Sequence, residues 1–142
     1  MRALLDVNAL IALLDCDHTS HGVAMSWFRK HARDGWASCP ITQNGCIRIM
    51  SNQNYPNALP VRAVMKRLAD ACEKAVHEFW TDEISLLNPG VVDSTRIHGP
   101  RQLTDIYLLA LAVENKARFV TFEAGVALAA VRRATSVNLT VL

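Results

Sequence analysis

Residues 3–5 form a short, wholly apolar run that stops at Asp6, and beyond it Ala9, Leu10, Leu13 and Leu14 recur at helical spacing. This pattern predicts a buried strand feeding a helix. Val23, Ala24, Trp27, Phe28 and Ala32 mark one face of a second helix, with Ser26, Arg29, Lys30 and Arg33 opposite, until Gly35 stops it. Residues 36–39 read as a second strand. Pro40 then opens a short helix carrying Ile41, Ile47 and Met50, in which Gly45 costs about 1 kcal/mol relative to alanine. Asn52, Asn54, Pro56, Asn57 and Pro60 make residues 51–60 the most open stretch of the chain. From Val61, the positions Val64, Met65, Leu68, Cys72, Ala75, Val76 and Phe79 keep helical spacing, while Arg62, Lys66, Asp70 and Lys74 decorate the outer face. Residues 84–87 read as a strand, Pro89 and Gly90 as a turn, and 91–97 as a short helix ended by Gly99 and Pro100. An apolar helix over 103–114, a buried strand over 119–122, a helix over 125–133 and a strand over 137–141 complete the reading. Strands alternating with helices predict a mainly parallel sheet covered on both faces, a three-layer α/β/α sandwich formed by one domain spanning residues 1–142.

Composition narrows the classes. With 142 residues, 51% of them apolar, the chain holds enough material for one sizeable core. A formal charge of +2 favours no class of partner by itself, so function has to come from local sites. Asp6 interrupts the opening apolar run before it reaches the length of a secretory signal, and no stretch approaches the roughly 20 residues that span a bilayer. A cytoplasmic protein without a membrane partner is expected. Cys16, Cys39, Cys46 and Cys72 include no CxxC pair and are expected as reduced, mostly buried thiols, neither a disulfide framework nor a zinc site.

In open α/β sheets ligands bind beyond the carboxyl ends of the strands, so acids at those ends and at helix starts come first. Asp6 follows the first strand, Glu123 follows the strand over 119–122, and Asp105 sits at the start of the helix over 103–114. Carboxylates gathered on one rim repel each other, and a hard divalent cation such as Mg²⁺ or Mn²⁺ keeps them ionised. Each acid also has a plain structural reading: Asp6 and Asp105 as helix caps, Glu123 as an exposed surface charge. Asp15, Asp17, His18 and His21 look like metal ligands but fall where a loop enters a helix, a position that calls for a cap and not for catalysis.

Four segments, Leu4-Leu5-Asp6-Val7-Asn8-Ala9-Leu10-Ile11-Ala12-Leu13, Cys39-Pro40-Ile41-Thr42-Gln43-Asn44-Gly45, Leu103-Thr104-Asp105-Ile106-Tyr107-Leu108-Leu109-Ala110-Leu111-Ala112 and Phe119-Val120-Thr121-Phe122-Glu123, together resemble PIN-domain toxins of the VapC type from end to end. The resemblance implies a Mg²⁺-dependent endoribonuclease, normally a homodimer, held inactive by a cognate VapB-type antitoxin. It implies metal ligands at Asp6, Asp105 and Glu123 and a further site residue at Gln43, with Mn²⁺ able to substitute for Mg²⁺. Two positions depart from the family pattern. Gln43 stands where members often carry a glutamate, and Glu123 where they usually carry an aspartate. The first loses an anionic oxygen and the second keeps its charge on a longer arm, which together predict weaker metal binding. Asn8 and Thr104 are supporting residues beside the acids, Thr104 with a cap as its plain alternative. Arg96 and Arg101, near the start of the helix that bears Asp105, are candidates for the RNA backbone, with solvated loop charges as their plain alternative.

Two other functions fit part of the pattern. A phosphoaspartate enzyme or receiver would use Asp6 as acceptor but needs a second acid two residues on, where Asn8 stands. A protein that binds RNA or its antitoxin without cutting would keep the fold and tolerate the neutral Gln43.

Overall fold

A computed structural model of the chain describes residues 1–74 and 76–142; Ala75, one position of the expected helical face after Val61, lies outside the described residues. Five short strands, β1 (Ala3–Leu5), β2 (Trp36–Ser38), β3 (His77–Phe79), β4 (Arg118–Thr121) and β5 (Leu139–Val141), form one sheet in the order β3-β2-β1-β4-β5. Every pairing is parallel, with Leu4 opposite Ala37 on one side and Phe119 on the other. Among the described residues five α-helices accompany them: α1 (Val7–Leu14), α2 (His21–His31), α3 (Pro40–Met50), α4 (Val61–Lys74) and α5 (Leu103–Glu114).

Alternation along β1 explains the layers. Leu4 points to the side of α5, where it packs with Phe119, Ile106 and Leu109. Ala3 and Leu5 point to the other side, toward Leu10 and Ile11 of α1, Met50 of α3 and Val64 and Leu68 of α4. Burying side chains such as Leu4 and Phe119 stabilises the fold by about 1.5–3 kcal/mol each, which is why β1 is wholly apolar and the polar residues of β4, Arg118 and Thr121, stand at its two ends. The three-layer expectation therefore holds. Gly45 has a reason to interrupt α3: a Cβ there would stand 2.7 Å from Val7 Cγ2, so the glycine lets α3 lie against the start of α1.

Five local expectations need correction. The helix from Val61 ends at Lys74, and Val76 and Phe79, which shared its spacing, are exposed on or beside β3. The edge of β2 demanded a hydrogen-bonding partner, and His77, Glu78 and Phe79 supply it in register with Trp36, Ala37 and Ser38. Residues 84–87 form no strand; Ile84 and Leu86 pack on the α5-side core from a loop, while Leu87 is 92% exposed. The helices expected over 91–97 and 125–133 shrink to single 3-10 turns, Ser94–Arg96 and Leu128–Ala130, because an antiparallel bridge between Val92 and Val131 zips the two segments together. The last expected strand keeps only residues 139–141, after a 3-10 turn at Ser136–Asn138.

The loop over 51–60 is better anchored than its composition suggests. Asp15, 4% exposed just past α1, accepts hydrogen bonds from the Tyr55 hydroxyl, the Asn57 amide at 3.2 Å and the Asp17 backbone N–H at 3.0 Å. Burial alone would push its carboxyl up, but those donors outweigh it and hold the group below the ordinary aspartate value. Stability from this contact is therefore present above the unfolded-state pKa and lost as pH falls through the folded one. Tyr55→Phe should cost about 1–2 kcal/mol at pH 7 and expose residues 51–60 to limited proteolysis. Urea unfolding at pH 7 and pH 3 checks both the loss and its decline in acid.

Candidate functional site

Because all strands run parallel, the carboxyl ends of β1 and β4 lie side by side, and the Asp6 N–H donates to the Val120 carbonyl at 2.9 Å. Asp6 is the N-cap of α1: its Oδ1 accepts from the Val7 N–H at 2.7 Å. Its Oδ2 accepts from the Thr121 hydroxyl at 2.9 Å, at the end of β4. Capping and candidate ligation thus coexist in one carboxylate. The side chain is buried, and burial raises its pKa against the pull of Thr121 and Val7, with Glu123 adding to the rise.

Asp105 enters from the first turn of α5. Burial first, then the negative charges of Asp6 and Glu123, push its carboxyl up to about 6. The repulsive share of that rise places the three acids in one electrostatic field. Glu123 arrives from the loop two residues after β4, where its N–H donates to Thr121 Oγ1 at 3.0 Å and its Oε1 accepts from the Gly125 N–H at 3.1 Å. Among the described residues no Lys, Arg or His pairs with Asp6, Asp105 or Glu123. The donor set is all oxygen, anionic and uncompensated, which suits a hard cation. Among the described residues no group of three or more His, Cys, Asp or Glu side chains stands close enough together to hold a metal ion.

Gln43 follows a different path. Its amide nitrogen donates to Ser38 Oγ at 2.9 Å, and Ser38 Oγ lies 2.8 Å from His77 Nε2. Burial of the His77 ring and the nearby Arg2 lower its pKa. Gln43 is thus tied to the ends of β2 and β3, and its hydrogen bonds among the described residues do not reach the acids. Asn8 is exposed in the first turn of α1. Thr104 is exposed within α5 and is not its cap, since the N-cap position falls on Gln102. Arg96 is exposed and 3.5 Å from Asp93; Arg101 is exposed in the 3-10 turn before α5. Asp15, Asp17, His18 and His21 serve the loop beyond α1, with the His21 ring 2.7 Å from the Ala12 carbonyl.

Thr121 is the functional residue that the sequence pattern conceals. It reads as one more position of a buried strand, yet its hydroxyl clamps Asp6 and receives Glu123 at once. A threonine closing a strand two residues before an acid is the available signal, because its Oγ can accept that acid's N–H.

No family model matches the chain. Its sequence is 49% identical to Ribonuclease VapC44 of Mycobacterium tuberculosis over 142 residues, covering all of both proteins. It is 39% identical to Ribonuclease VapC39 of the same organism over 128 residues, 89% of this chain and 92% of that protein. Ribonuclease VapC38 is 40% identical over 139 residues, 96% of each. Its fold is shared with the crystal structure of VapBC2 from Rickettsia felis bound to a DNA fragment from its promoter, at a TM-score of 0.60 and 13% identity, covering 100% of this chain and 99% of that one. Similarity to named ribonucleases along the whole length, on a chain whose acids gather at the carboxyl ends of β1 and β4, settles the assignment: the chain belongs to the VapC ribonuclease family.

Proposed function

We propose that this protein is the toxin of a toxin–antitoxin pair, a metal-dependent endoribonuclease that hydrolyses RNA phosphodiester bonds in the cytoplasm. The observation that carries the reading is that Asp6, Asp105 and Glu123 share one electrostatic field, Asp105 being lifted to about 6 by burial first and by the other two charges after it, with no cation paired to any of the three among the described residues. These three would hold Mg²⁺, or Mn²⁺ in its place. When bound, such an ion offsets charge on a phosphate and lowers the pKa of an attacking water.

The chain's own residues supply the rest. Thr121 and the Val7 N–H fix the orientation of the Asp6 carboxylate, so its lone pairs point the same way before and after substrate arrives. Ser38 fixes the Gln43 amide nitrogen, which leaves the carbonyl oxygen to orient a water or a polar substrate group. Asn8 and Thr104, each one or two residues from an acid, present exposed polar groups to the same rim. Arg96 and Arg101 hold the RNA backbone.

A VapB-type antitoxin would mask the site, and the relative from Rickettsia, described as a VapBC assembly, supports that partnership. An apolar cavity of about 210 Å³ lined by Leu10, Leu13, Leu14, Met25, Phe28 and Trp36 supports docking of an apolar antitoxin segment beside α1 and α2. The active unit is a homodimer.

The test is to map RNA ends after expression of the wild type beside Asp6→Asn. Discrete new ends in the wild type, absent in the variant and dependent on added Mg²⁺ or Mn²⁺ in the purified protein, are expected. Asparagine still caps α1, so the absence of cleavage in a folded variant reports the site and not the helix. A wild type that cuts no RNA at saturating Mn²⁺ would overturn the reading.

A further inference from the structure

One surface cleft is bordered by three arginines and by none of Asp6, Asp105 and Glu123. Arg96, Arg132 and Arg133, with side chains 60%, 50% and 67% exposed, border a concavity together with Asp93, Leu128 and Val131. Two loops build it. The Asp93 N–H donates to the Ala130 carbonyl at 2.8 Å and the Arg132 N–H to the Val91 carbonyl at 2.9 Å, on either side of the Val92–Val131 bridge. One loop runs on toward Asp105, and the other comes directly from Glu123.

The guanidinium groups are oriented but not consumed. Asp93 spreads its acceptor capacity over the Thr95 N–H, the Thr95 hydroxyl at 2.6 Å, Arg96 Nε at 3.5 Å and a terminal Arg132 nitrogen at 3.7 Å. Arg132 Nε donates to the Pro89 carbonyl at 3.0 Å, and Arg133 meets Glu114 through one terminal nitrogen at 2.8 Å. Each arginine keeps N–H donors unused by these partners, in the forked geometry that suits a phosphate. Arg133 also stands at φ 64, a left-handed conformation that glycine adopts freely and arginine only at a cost. The backbone would accept glycine there, so the side chain is what the position retains.

We propose that Arg96, Arg132 and Arg133 form a phosphate-binding subsite that holds the RNA backbone along the α5 face, away from the bond being cut. The proposal rests on the ribonuclease reading and extends the role of Arg96 to Arg132 and Arg133. RNA fits this cleft better than an antitoxin segment, because three cations outnumber the two carboxylates there, while the apolar cavity suited to a protein segment lies on the opposite side of the sheet, beside α1 and α2.

The experiment measures binding without cleavage, in the Asp6→Asn background with EDTA, of a fluorescein-labelled single-stranded RNA of roughly 12 nucleotides. Arg96→Gln with Arg132→Gln should raise Kd about tenfold near physiological salt and take about 0.7 off the slope of log K against log salt for each phosphate left without its arginine. Arg133→Gly should raise Kd about threefold while Tm holds or rises, which separates phosphate binding from a role in folding. Arg29→Gln with Lys30→Gln on α2 removes the same charge elsewhere and should change Kd less than about twofold. Unchanged binding in the cleft variants, or an equal weakening in the α2 variants, overturns the subsite. So does release of the co-expressed antitoxin with RNA affinity intact. Cleavage by the wild type alongside cleft-indifferent binding sinks the subsite alone. An Asp6→Asn parent that binds no RNA, beside a wild type that cuts none at saturating Mn²⁺, sinks the ribonuclease reading with it.

Discussion

Asp105→Asn is expected to lower RNA cleavage by about 10³-fold, the scale on which loss of one preorganised electrostatic group slows a reaction, while making the free protein harder to unfold at neutral pH. The two effects share one cause. Burial and the charges of Asp6 and Glu123 hold the Asp105 pKa near 6, above its unfolded value, so the folded state binds the proton more tightly. Stability from this group is then greatest below the unfolded pKa near 4 and declines as pH rises to about 6, after which the full penalty of a charged Asp105 remains. Asparagine removes the charge and the penalty. Because the side chain is partly exposed, solvent screening reduces the gain to about 1–2 kcal/mol, or roughly 2–6 °C in Tm. The gain should vanish at pH 4. Adding Mg²⁺ or Mn²⁺ should raise the Tm of the wild type and leave the variant almost unmoved, because the ion stabilises only the state that binds it. Thermal melts at pH 4 and pH 7.5, with and without metal, beside a cleavage assay, check all of this. A variant that cleaves like the wild type would remove Asp105 from the site.

Thr121→Val carries the second large expectation, with the opposite sign on stability. Valine keeps the shape of threonine but strips the donor from the buried Asp6 Oδ2 and the acceptor from the Glu123 N–H. Two polar groups lose their partners, one of them a carboxylate 8% exposed, at a cost of about 2–4 kcal/mol. The Asp6 pKa should climb further, since the Thr121 hydrogen bond is the largest influence lowering it. Cleavage should fall about 10- to 100-fold through a misoriented Asp6, the range found when a group supporting a metal ligand is removed. Thr121→Ser restores the hydroxyl and should recover most activity even where packing suffers. The measurement is cleavage against metal concentration for both variants, with Tm recorded. Equal activity in the two would mean that the hydroxyl has no part in positioning Asp6.

What the site needs from sequence is mostly local, and so it was legible there. Asp6 ends an apolar run and precedes a helix, and that alone places it at the carboxyl end of a central strand. Asp105 opens an apolar helix for the same kind of reason. Strands too apolar to face water must be buried on both sides, so the run Ala3 to Leu5 already implied layers above and below the sheet.

Non-local decisions were not legible. Nothing in the order of residues 76–79 tells a helix from a strand, since Val76 and Phe79 fit a 3.6-residue repeat; the unpaired edge of β2 chose strand for His77–Phe79. The helical promise of residues 125–133 yielded to one backbone bridge between Val131 and Val92, which also brought Arg132 beside Arg96. Gln43 carried a sequence signal for the acid rim, but its amide went to Ser38, an acceptor whose position depends on where β2 meets β3. Thr121 and Asp6 stand 115 residues apart, and their hydrogen bond exists only because β4 pairs with β1. Periodicity and chain order, which act over a few residues, determined the elements and the acids at their ends. Hydrogen-bond satisfaction across the sheet, which acts between residues distant in the chain, decided which side chains meet them.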